Sequence, residues 1–280
     1  MEAGGPPLWS SPLCSSPTTV VVSSPNSLLH VGKAYYRIAA KAYNMTRYVV
    51  ESLKLDETVV ATSMVYWHTF LSHHELKKFD EIVLSASCVF LASKVEHYKV
   101  RLNQVISLVF EVDEKSEEAE GWRRMLLEME LLLCHTLGFN FQVIHPIKRI
   151  LELVPEGHTK VSECAHRLFL LSFVTPLCTK ASPDEVAEAL VYIAADGAGQ
   201  LEAYSAGFTC TSVDRRDGII NVMIDALAVM RKNTGMAKID NMITARRKRM
   251  REQDSSRPSV THSSGGTGSL DATPSVMTTD

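Results

Sequence analysis

Ile82-Val-Leu-Ser-Ala-Ser-Cys-Val-Phe-Leu-Ala-Ser-Lys-Val-Glu96 is the stretch on which the fold turns. Apolar or small side chains fill nearly every position until Lys94, and Asp80 stands just ahead as a candidate N-cap. Such a helix has no polar face to offer water, so the pattern places it at the centre of a bundle, buried on most sides.

Helical spacing continues outward in both directions. Toward the N-terminus, Tyr35, Ile38, Ala42, Met45, Tyr48 and Val49 predict a helix over 34–53. Asp56 caps a second, through Val59, Val60, Met64, Tyr66, Trp67 and Phe70. On the other side a short helix fits 102–110. The acidic run 111–120 is solvated loop or the first turn of a long helix over 117–137, which Gly138 stops.

His145-Pro146 opens a second set of helices. Ile147, Ile150, Leu151 and Val154 suit a short one, and Val161, Ala165, Leu168, Phe169 and Phe173 the next. Ser182-Pro183-Asp184-Glu185 then combines an N-cap, a proline at the first helical position and a glutamate that closes a capping box. The helix it starts runs through Val186, Ala189, Leu190, Ile193 and Ala194. Gly197-Ala-Gly199 follows a helix and not a strand, so it reads as a helix-terminating loop and not as a phosphate cradle. A last helix runs from about Asp214 to Met230. With few alternating β-branched runs and little hairpin chemistry, the sequence predicts an all-α core of two consecutive helical bundles.

A chain of 280 residues with 45% hydrophobic content suits two compact halves. The expected divisions are a disordered Ser/Pro-rich tail over 1–27, a first bundle over 28–144, a second over 145–235, and a basic segment with a disordered Ser/Thr/Gly-rich tail over 236–280. The net charge of −3 gives no basic field, so nucleic acid is not an expected partner. No window approaches the roughly 18 unbroken apolar residues of a membrane span, so no membrane contact is expected either. The six cysteines form no CxxC pair and read as reduced, small hydrophobes of an intracellular protein. Nucleotide-binding, zinc-hydrolase and serine-hydrolase motifs are missing, and His73-His74 has no third ligand in sight. The chain is therefore expected to have no catalysis, cofactor or metal of its own.

Lys94 poses a problem, because it sets an ammonium at the end of a strongly apolar run. Glu130, in Met125-Leu-Leu-Glu-Met-Glu-Leu-Leu-Leu-Cys134, is the matching oddity. A Lys94–Glu130 pair between neighbouring helices satisfies both; alternatively Lys94 snorkels from a helix end and Glu130 faces water.

The string Ala86-Ser-Cys-Val-Phe-Leu-Ala-Ser-Lys-Val-Glu96 resembles the third helix of the cyclin box, and Leu127-Glu-Met-Glu-Leu-Leu-Leu-Cys-His-Thr-Leu-Gly-Phe139 resembles its fifth. They occur in the family's order, and the resemblance extends from about Tyr35 to Arg231. It implies tandem cyclin-box folds and a regulatory subunit that forms a heterodimer with a cyclin-dependent protein kinase and activates it allosterically. By matching positions, Lys94 and Glu130 are the pair that contacts the kinase. Leu91, Val95, Glu96 and Phe139 fall on the same implied docking surface, with a place in the core competing for Leu91 and Phe139.

Among cyclins the strings look most like the transcriptional C, T, K and L types, whose kinases act on the C-terminal repeats of RNA polymerase II. Cell-cycle cyclins carry a Met-Arg-Ala-Ile-Leu patch and a downstream Trp; here that region reads Ile38-Ala-Ala-Lys-Ala42, with Met45 near the Trp position. His97 stands where these families usually carry a second acidic residue. A cell-cycle cyclin and a cyclin-fold transcription factor that binds nucleic acid are the alternatives. Arg246, Arg247, Lys248, Arg249 and Arg251 form a basic cluster suited to nuclear import, or else a solvated helix end. The expected location is nuclear, with a cytoplasmic pool left open.

Overall fold

Ten α-helices and no strand occur among residues 31–230, the part of the chain that the computed structural model describes. The first five are α1 (Lys33–Ser52), α2 (Glu57–His73), α3 (Glu81–Val95), α4 (Leu102–Phe110) and α5 (Glu117–Thr136). The second five are α6 (Ile147–Leu153), α7 (Thr159–Ser172), α8 (Leu177–Lys180), α9 (Pro183–Gly197) and α10 (Val213–Met230). The terminal stretches 1–27 and 236–280, and with them the basic cluster, lie outside the described residues.

The helix starts follow the caps. Asp80 accepts from the backbone N–H groups of Ile82 (2.8 Å) and Val83 (3.0 Å), Asp56 from Thr58 (2.9 Å), and Ser116 from Ala119 (3.0 Å). At α9 both halves of the capping box form: Ser182 Oγ accepts from Glu185 N at 3.2 Å, and Glu185 accepts from Ser182 N at 2.8 Å. The ends also share a device. α1, α3, α5 and α9 each close on a left-handed residue, at Lys54 (φ 53°), His97 (φ 64°), Gly138 (φ 59°) and Gly199 (φ 69°). In each, the next backbone N–H reaches back to the helix, as from Tyr98 to Ser93 O at 2.8 Å and from Phe139 to Cys134 O at 3.0 Å.

Each set has a central helix. Every residue of α3 from Val83 to Ser93 is buried, and α1, α2, α4 and α5 surround it. In the second set α9 is enclosed by α6, α7, α8 and α10. Side chains such as Leu84, Val89, Leu190 and Val191, all fully buried, each contribute about 2 kcal/mol of apolar transfer. The two sets meet where α1 packs on α10 and α2 on α8, and one apolar cluster runs through both. At that meeting point His68, 1% exposed, accepts at Nδ1 from the Tyr35 hydroxyl (2.6 Å) and donates from Nε2 to the Phe173 carbonyl (2.8 Å).

A second buried polar device closes the second set. Glu188 is fully buried on α9, and its carboxylate accepts from three consecutive backbone N–H groups, those of Thr209 (3.0 Å), Cys210 (2.9 Å) and Thr211 (3.0 Å). These bonds fix the loop that leads into α10, and Arg149 Nη2 stands 3.8 Å away as counter-charge. α8 and the 3-10 turns Leu76–Lys78 and Leu201–Gly207 were not legible in the pattern, since they are too short to establish a period.

Candidate functional site

Lys94 emerges from the last turn of α3, beside α5. Its Nζ lies 2.7 Å from Glu130 Oε1 and 3.9 Å from the centroid of the Phe90 ring. The pair is lopsided: the Glu130 side chain is 13% exposed and that of Lys94 47%. An ammonium that is half in water while anchored to a nearly buried carboxylate contributes at most about 1 kcal/mol to the fold. It also presents a fixed charge to any partner. Burial of Phe90, at 6% exposed, sets the platform on which the ammonium rests.

Along the outward face of α5, Leu127 (46% exposed) and Leu131 (56%) stand one turn apart, and Phe139 (59%) follows just beyond the helix. His135 connects the two parts, its ring 5.1 Å from that of Phe139. Phe139 reaches this position because it adopts a left-handed backbone (φ 57°) directly after Gly138, which turns the chain sharply off α5. An apolar stripe flanked by an ordered ion pair, on a helix whose opposite face (Leu126, Leu133) is in the core, has the make-up of a protein-docking surface.

The residues read from the sequence therefore divide. Lys94, Glu130 and Phe139 share this surface. Val95 is half-buried and packs against the core. Leu91, 4% exposed, lies in the core and does not reach the surface. Glu96 is half-buried and turns the other way: its Oε1 accepts from Thr62 Oγ1 at 2.5 Å. His97 is exposed and serves as the left-handed residue closing α3.

Leu127 and Leu131 were not singled out in the sequence. The signal was present, since α5 is apolar at positions facing in opposite directions, but an apolar residue on an amphipathic helix is first read as core. The His73-His74 pair is engaged locally, His73 Nδ1 lying 2.9 Å from the Thr69 carbonyl and His74 Nε2 2.9 Å from Thr136 Oγ1. Among the described residues no group of three or more His, Cys, Asp or Glu side chains could hold a metal, and no helix is long and apolar enough to cross a membrane.

Residues 36–142, which take in most of α1, all of α2 to α5 and hence the whole surface, match the family model for the cyclin N-terminal domain. Over those residues the chain carries a domain of the cyclin family. The chain is 28% identical to Cyclin-T1-4 of Arabidopsis thaliana over 159 residues, which are 51% of this chain and 29% of that protein. It is 29% identical to Cyclin-C of Rattus norvegicus over 170 residues, covering 57% of this chain and 61% of the relative. The chain thus spans less than a third of the plant relative's own length.

The similarity of fold extends further. A chain of the yeast RNA Pol II CTD kinase CTDK-1 complex superposes with a TM-score of 0.61 at 14% identity, covering 89% of the present chain and 83% of that one. In the present chain the stretch Ile38 to Ala42 keeps Ala39 and Ala42 buried and shows solvent only Lys41 in full, so no large apolar patch stands there.

Proposed function

We propose that this chain is a cyclin, a non-catalytic subunit that binds a cyclin-dependent protein kinase through the α3–α5 face and activates it. The single observation that carries the reading is the Lys94–Glu130 pair, ordered at 2.7 Å beside the exposed stripe of Leu127, Leu131 and Phe139. A kinase of this kind works only when the glutamate of its αC helix reaches the lysine that holds the ATP phosphates. A rigid surface that binds the productive position of αC more tightly than the unproductive one shifts the population toward activity, by as much as that difference in affinity. The chemistry stays in the kinase.

The relatives' names, Cyclin-T1-4 and Cyclin-C, support a transcriptional cyclin, and so does the fold shared with a component of an RNA polymerase II CTD kinase complex. The proposed substrates are accordingly the C-terminal repeats of RNA polymerase II, and the proposed location is the nucleus, with Arg246, Arg247, Lys248, Arg249 and Arg251 as the import signal. The proposed unit boundaries are 28–144 and 145–235, one cyclin box each.

The test is recovery of the complex. Affinity purification of the full chain from native extract should bring down a protein kinase in stoichiometric amount. Lys94→Glu and Glu130→Lys should each release it, and the exchanged pair Lys94→Glu/Glu130→Lys should keep the variant as stable as wild type. Retention of an active kinase by both single reversals would refute the assignment of the surface.

A further inference from the structure

Glu96 sits two residues beyond Lys94, yet its carboxylate points into the molecule. Thr62 on α2, itself fully buried, donates to Glu96 Oε1 at 2.5 Å, and the same hydroxyl lies 3.0 Å from His145 Nε2. A threonine hydroxyl has one hydrogen. With that hydrogen on Glu96, the bond to His145 requires the imidazole to donate from Nε2, so Nδ1 carries the lone pair. Nδ1 is buried and without a hydrogen-bond partner, which leaves no acceptor for a second proton. Burial lowers the His145 pKa and the nearby Glu96 charge only partly offsets that, in keeping with a neutral ring.

His145 is the last residue but one before α6, and so belongs to the segment joining the two helix sets. That segment is held a second time on α2, where the Tyr66 hydroxyl donates to the Phe141 carbonyl at 2.7 Å. The Glu96 charge reaches Tyr66 as well, adding to the burial that raises its hydroxyl pKa. The end of α3, the middle of α2 and the connecting segment therefore converge on one carboxylate.

We propose that Glu96 is a positioning residue that, through Thr62 and His145, holds the connecting segment and the Lys94 end of α3 as one rigid unit, and that kinase affinity depends on this clamp and not on a direct Glu96 contact. The functional half rests on the kinase-docking reading above. In that reading Lys94 and Phe139 flank the clamp, since Phe139 begins the connecting segment and Lys94 stands in the last turn of α3. If the clamp loosens, the two edges of the docking face move independently and must be ordered again on binding.

The experiment uses the full chain and, as probe, the purified kinase identified by the co-purification. Thr62→Val, Glu96→Gln and His145→Phe should each weaken binding by about tenfold. The triple variant should be no weaker than the worst single one, because the three residues act as a unit. His145→Gln, whose carboxamide can still donate to Thr62, should restore most of the affinity. In the free chain, Thr62→Val should shift the 15N resonances of the His145 ring, a signature that needs no kinase.

The proposal is overturned if Glu96→Gln weakens binding while Thr62→Val does not, which would make Glu96 a direct contact. Losses that multiply in the triple variant, or unmoved His145 resonances, would overturn it equally. Lys94→Glu runs alongside: if it too leaves the kinase bound, the docking reading has failed and the functional half of the clamp with it. If only Lys94→Glu releases the kinase, the clamp alone has failed.

Discussion

Acid should loosen this protein through His68 more than through any exposed group. The ring is 1% exposed, its Nδ1 accepts from Tyr35 and its Nε2 donates to Phe173. Burial drives its pKa down from 6.5 to about 4, against the opposing pull of the Phe173 carbonyl. In the unfolded chain the same imidazole protonates near 6.5, so between these values the unfolded state binds more protons. The stability this neutral ring confers is complete above about pH 6.5 and is lost as pH falls toward about 4. The gap from 6.5 to about 4 corresponds to roughly 3 kcal/mol, a large share of the 5–15 kcal/mol typical of a domain.

Urea unfolding of wild type and His68→Gln at pH steps between about 7.5 and about 4 measures this directly. Glutamine can accept from Tyr35 and donate to Phe173 but does not titrate, so its stability should fall less with acid, by about the same 3 kcal/mol. His145, whose pKa is also lowered by burial, adds to the slope in both proteins and drops out of the comparison. Parallel stability curves for the two proteins would sink the reasoning.

Three further outcomes are expected. Glu188→Ala removes the acceptor of three backbone N–H groups and one of the two carboxylates beside Arg149, which keeps Glu152 at 3.3 Å, and should cost about 3 kcal/mol in urea melts. Desolvation by burial would raise the Glu188 pKa, but the hydrogen bonds from Cys210, Thr211 and Thr209 outweigh it and hold the pKa low; wild type should therefore also weaken as pH falls through the carboxylate range, a component missing from Glu188→Ala. Lys54→Gly should raise stability by up to about 1 kcal/mol in thermal melts, because Lys54 is exposed and left-handed (φ 53°) and loses no packing. Ser182→Ala should cost about 1 kcal/mol in the same assay by removing the cap of α9.

Where the sequence spoke clearly, it spoke through local chemistry. Asp56, Asp80, Ser116 and Ser182 cap helices in the structure, and of these the sequence reading had named Asp56, Asp80 and Ser182. α3 could be read as central because no face of it is polar. The Lys94–Glu130 contact was legible because each residue was chemically out of place in its own helix. Direction was harder: Glu96, one turn of reasoning from Lys94, faces Thr62, which only the packing of α2 against α3 reveals. The closing of α1 and α3 on Lys54 and His97 was also hidden, since a left-handed end is signalled in sequence by glycine and these are not glycine.

The way α1 rests on α10 and α2 on α8 has a consequence for how the chain can be broken. A protease that cuts between residues 139 and 146 severs a connection and little else, because the apolar cluster and the His68–Phe173 bond still bridge the fragments. The nicked protein should elute from a sizing column as one species and come apart only in denaturant. Expressed alone, either half would carry a raw apolar face into solvent, where Tyr35, Trp67 and Phe173 would favour precipitation over folding.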